Sequence, residues 1–270
     1  MKRTPVEKIP HLPREIASLF RGGRFYDSSS SPEARVWLVE GKEAFFLKRG
    51  VRGSLAREAQ MGAYFASLGL SPAVVAYVTE EDCDAENGEA RGEDWLVTER
   101  ARGEDCTARE YLEDPRRLAA VLGETLRSLH EMPASGCPVP HRMEAYFQTV
   151  EENFRQGKGD LTLFGEGVFS SLDEAYRTFC EGRDHLRDEV LIHGDYCLPN
   201  VLLEDFRFSA FVDVGMGGIG DRHVDLFWGA WTLWYNLKTN AYRERFFDAY
   251  GRDGFDRNLL LTVAAAEVFG

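Results

Sequence analysis

Hydrophobic positions follow two rhythms along this chain, and the change falls near residue 100. Before it, apolar side chains come in short β-branched and aromatic runs. Arg35-Val36-Trp37-Leu38-Val39 and Ala44-Phe45-Phe46-Leu47-Lys48 flank the turn Glu40-Gly41-Lys42-Glu43, a pattern that predicts a hairpin. A short helix over Arg14–Phe20 and a strand near Arg24–Tyr26 precede it, and further strands are expected at Val74–Val78 and Trp95–Glu99. Between these last two, the acidic stretch from Glu80 to Asp94 reads as a solvated hairpin tip. One helix interrupts the strands: Ser54 stands at a capping position and Gly69 stops it after Leu68. Its apolar face holds Leu55, Ala59, Gly62, Phe65 and Ala66, and Glu58 falls on that same face.

Beyond Arg100 the spacing turns helical. Asp114-Pro115 opens a helix with Leu118, Val121, Leu122, Thr125, Leu126 and Leu129 on one side and His130 at its end. Helices are predicted over Met143–Phe154, Leu172–Cys180, Val224–Leu237, Tyr242–Tyr250 and Arg257–Phe269. The aromatic residues of the third of these (Phe227, Trp228, Trp231, Trp234, Tyr235) read as core. The chain is thus an α+β protein with a strand-rich part over 1–99 and a helical part over 100–270.

Composition narrows the function classes. The 270 residues suffice for two cores, and 44% hydrophobic content is that of an ordinary globular protein. A net charge of −13 argues against nucleic acid or an anionic membrane as partner and suits a cationic ligand. Cys83, Cys106, Cys137, Cys180 and Cys197 are odd in number and never form C-x-x-C, which reads as reduced cytosolic thiols. Cys197 has no evident base beside it and reads as a loop residue, not a nucleophile. No apolar run reaches the roughly 18 residues of a membrane span, and the first residues do not read as a signal peptide, so a cytoplasmic protein is expected.

The chemistry concentrates in His193-Gly194-Asp195-Tyr196-Cys197-Leu198-Pro199-Asn200 and the following Phe211-Val212-Asp213-Val214-Gly215. The kinase catalytic loop H-R-D-x-x-x-x-N followed by D-F-G has the same order and spacing. In that chemistry the first Asp faces the acceptor hydroxyl, while the Asn and the second Asp hold magnesium on the phosphates. Lys48 ends an apolar strand as the kinase β3 lysine does, and Glu58 is its natural partner, because a carboxylate in a buried seam is costly unless paired. The loop ahead of the first hairpin is serine-rich, so Ser29 and Ser30 are candidate phosphate contacts; Thr98 to Ala101 stand where a hinge backbone would meet adenine. Only eleven residues separate Asp213 from Asp225, which leaves no room for the peptide-docking segment of a protein kinase and predicts a small-molecule acceptor.

Together with Gly220-Asp221-Arg222-His223-Val224-Asp225, these motifs resemble the aminoglycoside 3'-phosphotransferases over nearly the whole chain, from Arg57-Glu58 to Glu267-Val268-Phe269. The resemblance implies a bilobal protein-kinase-like fold, with a small β-rich N-terminal lobe and a larger, mainly helical C-terminal lobe. It implies ATP (with GTP left open) and Mg2+ as cofactors, an aminoglycoside as acceptor, and a monomer or weak dimer. Carried over by position, Asp195 orients or deprotonates the acceptor hydroxyl, Asn200 and Asp213 bind the metal, Lys48 meets the ATP phosphates and Glu58 fixes Lys48. Asp160 and Glu267 are the substrate candidates. Departures thin the expected charge pattern: Met216 stands where such enzymes usually have Arg, and Leu163, Gly165 and Ala266 stand where acids are usual. A kinase for another hydroxylated small molecule, or a nucleotide-binding regulatory module without catalysis, are the alternatives.

Overall fold

The computed structural model describes residues 4–7, 10–28, 34–81, 92–163 and 168–270. The chain divides into two compact units, one of Met1–Asp105 with Leu202–Glu204 and Ser209–Gly215, the other holding the remainder.

The first unit is built on one antiparallel sheet. In chain order its elements are β1 (Thr4–Pro5), α1 (Arg14–Ala17), β2 (Arg24–Asp27), β3 (Ala34–Glu40), β4 (Ala44–Val51), α2 (Ala56–Ser67), β5 (Val74–Glu81), β6 (Gly92–Glu99) and the short β7 (Glu104–Asp105). Six strands pair in the order β1-β2-β3-β4-β6-β5. Because successive side chains alternate, β4 sends Phe45 and Leu47 into one core with Ile16, Phe20, Trp37, Val39, Trp95 and Val97. Lys48 takes the other face, opposite Leu96 in the β4–β6 register. There α2 lies on the sheet through Leu55 and Ala59, packed on Leu96. Each such apolar side chain contributes about 1.5–3 kcal/mol, more than an exposed ion pair would.

The start of α2 departs from expectation. The Ser54 hydroxyl donates to the Val51 carbonyl at 2.7 Å and caps nothing. Asp94 supplies the cap instead: one of its oxygens accepts the Leu55 N–H at 3.1 Å and the other the Thr79 hydroxyl at 2.9 Å. Nor is Asp94 part of a solvated tip, for β6 begins at Gly92 and Asp94 is fully buried. Burial alone raises its pKa, but hydrogen bonds from Leu55, Gly53 and Thr79 outweigh that and hold it below the ordinary range. Asp94→Ala is expected to cost about 2 kcal/mol in urea unfolding, and a loss under about 0.5 kcal/mol would refute the capping role. Since the folded-state value is depressed, the wild-type advantage is present above the ordinary Asp value, about 3.9, and fades as pH falls below it.

The second unit is mainly helical. Its elements are α3 (Arg109–Leu112), α4 (Pro115–His130), α5 (Arg142–Arg155), α6 (Leu172–Gly182), β8 (Val190–Ile192), a hairpin of β9 (Val201–Glu204) and β10 (Arg207–Phe211), β11 (Gly218–Gly220), α7 (Arg222–Leu237), α8 (Arg243–Tyr250) and α9 (Arg257–Glu267). The hairpin is shared: its tip, Asp205–Phe208, belongs to this unit and the strand ends beside it to the first. Asp114 caps α4 as the sequence predicts, its carboxylate accepting the Arg117 N–H at 3.3 Å. Gly123 lets α8 approach α4 closely, since a Cβ there would lie 2.4 Å from the Phe246 carbonyl oxygen.

Helix α7 corrects a second expectation. Of its aromatic residues only Phe227 is buried; Trp228, Trp231 and Trp234 are half-buried and Tyr235 is 50% exposed. They pack on each other instead, Trp228 edge-on to Trp231 and Trp231 stacked on Tyr235 at 4.8 Å. Buried positions of α7 go to Val224, Leu226, Phe227, Ala230 and Leu233. Among the described residues no helix is long and apolar enough to cross a membrane.

Candidate active site

In the first unit, the alternation of β4 and the face of α2 bring Lys48 and Glu58 together. The ammonium donates to both Glu58 carboxylate oxygens, at 3.0 and 2.8 Å, and to Asp213 Oδ1 at 2.8 Å. Burial lowers the Lys48 pKa, but the Asp213 and Glu58 carboxylates outweigh it and the net direction is up. Glu58 is also raised, by burial first and by the nearby Asp213 charge, against the pull of Lys48. Asp213 sits at φ +55°, a left-handed backbone that non-glycine residues rarely adopt and that recurs at functional sites. Gly215 is packed on Glu58, whose Cβ would lie 3.1 Å from a Cβ added there. Thr98 is half-buried in β6, paired with Phe46 and Val74, and Ala101 follows the strand. Between them the N–H groups of Glu99 and Arg100 bond the Ala73 and Ala44 carbonyls. Ser29 and Ser30 lie outside the described residues.

In the second unit, β8 delivers His193-Gly194-Asp195 into a tightly tied loop. Asn200 Nδ2 donates to both the carbonyl and Oδ2 of Asp195, at 2.9 and 2.8 Å. That orientation of the amide keeps its carbonyl oxygen for an electrophile. That amide oxygen is a hard donor of the kind that suits magnesium, an ion commonly held by one or two side chains plus phosphates and water. Below the loop, Tyr196 is buried with its hydroxyl on the Leu122 carbonyl, and Leu198 N–H donates to Thr232. Burial first, then the Asp195 charge, push the Cys197 thiol far above its ordinary value, so it is no thiolate nucleophile.

Asp225 is the residue that the sequence undervalues. Fully buried in the first turn of α7, it accepts the His193 N–H at 2.7 Å and the Gly194 N–H at 2.8 Å, and meets His130 Nε2 at 3.2 Å. His130 is therefore more than a helix end, for its other nitrogen lies 2.9 Å from the Tyr250 hydroxyl. The position of Asp225 in the motif block hints at importance, but no periodicity announces a carboxylate that clamps backbone.

A cavity of about 600 Å³ opens beside this loop within the second unit. Its walls include Asp195, Glu267, Asp160, Arg142, Tyr146 and Trp228. Glu267 is not a surface acid: it is 7% exposed, and the Tyr146 hydroxyl donates to its Oε1 at 2.8 Å. Burial, above all, pushes its carboxyl up to about 7, opposed by hydrogen bonds from Tyr146 and Trp228 and by the Arg142 charge. Asp160 is solvent-facing, its Oδ1 accepting the Thr162 N–H at 2.8 Å and the Thr162 hydroxyl at 2.6 Å; the hydroxyl bond first, then the N–H bond, hold it below the ordinary value. Leu163 lines the cavity, whereas Ala266 is buried in α9. Arg142 and Tyr146 escaped the sequence reading although they share a stripe with Val150 at helical spacing.

Lysine paired to a helix glutamate, and an H-x-D loop braced by an asparagine, are the parts of a kinase-like phosphotransferase. Comparison with known proteins agrees: the family model described as the phosphotransferase enzyme family (APH) matches residues 27–260, and the chain belongs to that family. It is 39% identical over 268 residues to a probable aminoglycoside 3'-phosphotransferase of Lactococcus lactis, covering 99% of this chain and 97% of the relative. It is 34% identical over 177 residues, 62% of this chain and 64% of the relative, to an aminoglycoside 3'-phosphotransferase of Streptomyces fradiae. The fold matches the crystal structure of a type VIII aminoglycoside 3'-phosphotransferase at TM-score 0.69 and 24% identity, covering 95% and 97% of the two chains. It also matches an aminoglycoside phosphotransferase of Streptomyces rimosus in complex with ADP and streptomycin, at TM-score 0.68 and 18% identity, over 90% and 92%. The chain is accordingly an α+β, kinase-like phosphotransferase with an alcohol group as acceptor, of the aminoglycoside 3'-phosphotransferase kind.

Proposed function

We propose that this enzyme transfers the γ-phosphoryl group of ATP, with magnesium, to a hydroxyl of an aminoglycoside bound in the cavity beside Asp195, and so inactivates the antibiotic. The observation that carries this reading is the cavity itself. It joins Asp195, held by Asn200, to buried Glu267 and to Asp160, acids suited to a hydroxylated, ammonium-bearing acceptor. Asp195 accepts or orients the hydroxyl proton; Lys48, fixed by Glu58, meets the nucleotide phosphates; Asn200 and Asp213 hold the metal. Bound magnesium neutralises charge on the transferring phosphoryl group. The Thr98–Ala101 stretch meets the adenine, and Ser29 and Ser30 the phosphates. The ADP-bound neighbour and the curated relatives support nucleotide use and acceptor class.

Coupled ADP release with Mg-ATP tests this against kanamycin, neomycin and unrelated hydroxylated compounds. Turnover confined to aminoglycosides is expected. Turnover only on another compound would discard the acceptor and keep the chemistry, a second reading favoured by Leu163 in the cavity wall. ATP binding with no turnover on any acceptor would favour a regulatory module.

Glu267 makes a sharper prediction. Its carboxyl is ionised only above about 7, so KM for a cationic acceptor is expected to fall as pH rises through that value. Glu267→Gln keeps an acceptor for Tyr146 but removes the charge. It is expected to raise KM at pH 8 about tenfold and to flatten this limb of the profile, and an unchanged profile would exclude Glu267 from acceptor binding.

A further inference from the structure

Among the described residues lining the cavity, Arg142 is the one basic side chain, set against Asp160, Asp195 and Glu267. Its position is unfavourable twice over. It is 5% exposed, and it opens α5, where the helix dipole already concentrates positive charge. Its Nε donates to the Met216 carbonyl at 2.9 Å, and its guanidinium carbon lies 5.8 Å from the centre of the Tyr146 ring. That carbonyl abuts the loop: a Cβ on Gly194 would lie 2.0 Å from it. A glutamine at this position would keep a donor for that carbonyl and remove the charge. The guanidinium charge also reaches Glu267: Arg142 favours its ionised form while Asp195 opposes it.

We propose that Arg142 is the resident counter-cation of the acceptor cavity, competing with acceptor ammonium groups for Glu267 and Asp195. The cavity is thereby tuned to acceptors with one ammonium near the reacting hydroxyl, and distal ammonium groups add little. This rests on reading the cavity as the acceptor site. Arg142 is a specificity residue in this scheme; the reaction itself stays with Asp195. The charged and titratable groups around Glu267, among the described residues, are Arg142 and Tyr146 from α5 and Asp195 and the Cys197 thiol from the catalytic loop, with Asp160 in the same cavity and the Trp228 indole of α7 bonded to it.

The test compares wild type, Arg142→Gln and Arg142→Lys, using neomycin and a neomycin derivative acetylated on one distal amine. Calorimetric titration gives binding without nucleotide, and KM and kcat are followed from pH 6 to 9. At pH 8, Arg142→Gln is expected to bind neomycin about three- to tenfold more tightly, from the loss of one nearby positive charge. Its acidic limb of KM should move to higher pH, since Glu267 loses the guanidinium that favours ionisation. Arg142→Lys should resemble wild type. These two changes in opposite senses are not what general structural damage produces. Wild type alone provides a check should Arg142→Gln fold poorly: acetylating the distal amine is expected to change its Kd by less than about threefold. Equal or weaker neomycin binding by Arg142→Gln, an unmoved limb, or a loss well above threefold on acetylation in wild type would overturn the inference and leave the acceptor reading intact. Failure of all three proteins to bind any aminoglycoside would overturn both.

Discussion

Asp195→Asn is expected to lower kcat by about 10²–10⁴-fold while nucleotide affinity stays within about twofold. The size of the loss discriminates between two roles. A general base removed outright forfeits the upper part of that range, whereas a group that only orients the hydroxyl, in a loose phosphoryl-transfer transition state, forfeits the lower part. Single-turnover transfer with saturating acceptor isolates the chemical step. Asparagine also places an amide where the Asn200 amide donates to the Asp195 carboxylate, so Asp195→Ala should accompany it. Both variants within about threefold of wild type would remove Asp195 from the mechanism.

The second large effect is expected at Asp225, which touches no substrate in the proposed scheme. Asp225→Ala leaves the buried N–H groups of His193 and Gly194 without their acceptor and His130 without its carboxylate. Each orphaned donor costs about 1–3 kcal/mol, so a stability loss of about 3–5 kcal/mol is expected in urea unfolding. Asp225→Asn keeps one acceptor oxygen and should lose less stability, yet it should still lower kcat at a temperature where it is folded, because Asp195 follows the two residues being clamped. A fully active Asp225→Asn enzyme would show that the loop holds its shape without the clamp.

How legible this site was depended on what each residue answers to. Lys48 and Glu58 were readable because strand alternation and helical spacing each point a charge into an apolar seam, and two such charges must meet. Asp195, Asn200 and Asp213 were readable because phosphoryl transfer imposes their order along the chain. Asp94 was misread: an acid among acids looks solvated, and the backbone N–H groups that bury it belong to a helix some forty residues earlier. The Trp228–Tyr235 row was misread for the opposite reason, since aromatic content signals core only when another layer covers it. Arg142 and Glu267 fell between these cases. Their burial comes from the packing of α5, α7 and α9, and local pattern records nothing of that kind.

The shared hairpin bears on how the protein is made. Asp205 and Phe206 turn it with φ of +53° and +61°, and Phe206 settles edge-on against Tyr111 at 5.0 Å and under the Arg117 guanidinium at 4.1 Å. Residues 202–204 and 209–215 on either side return to the first unit, whose other residues end at Asp105. On a ribosome adding about 5–20 residues per second, the nascent first unit therefore waits roughly 5–20 s for its returning segments and for Asp213 to emerge. Cutting the gene at codon 105 would yield an amino-terminal fragment lacking part of its own unit, so that fragment should fold poorly alone and improve when the second half, which carries the returning segments, is expressed with it.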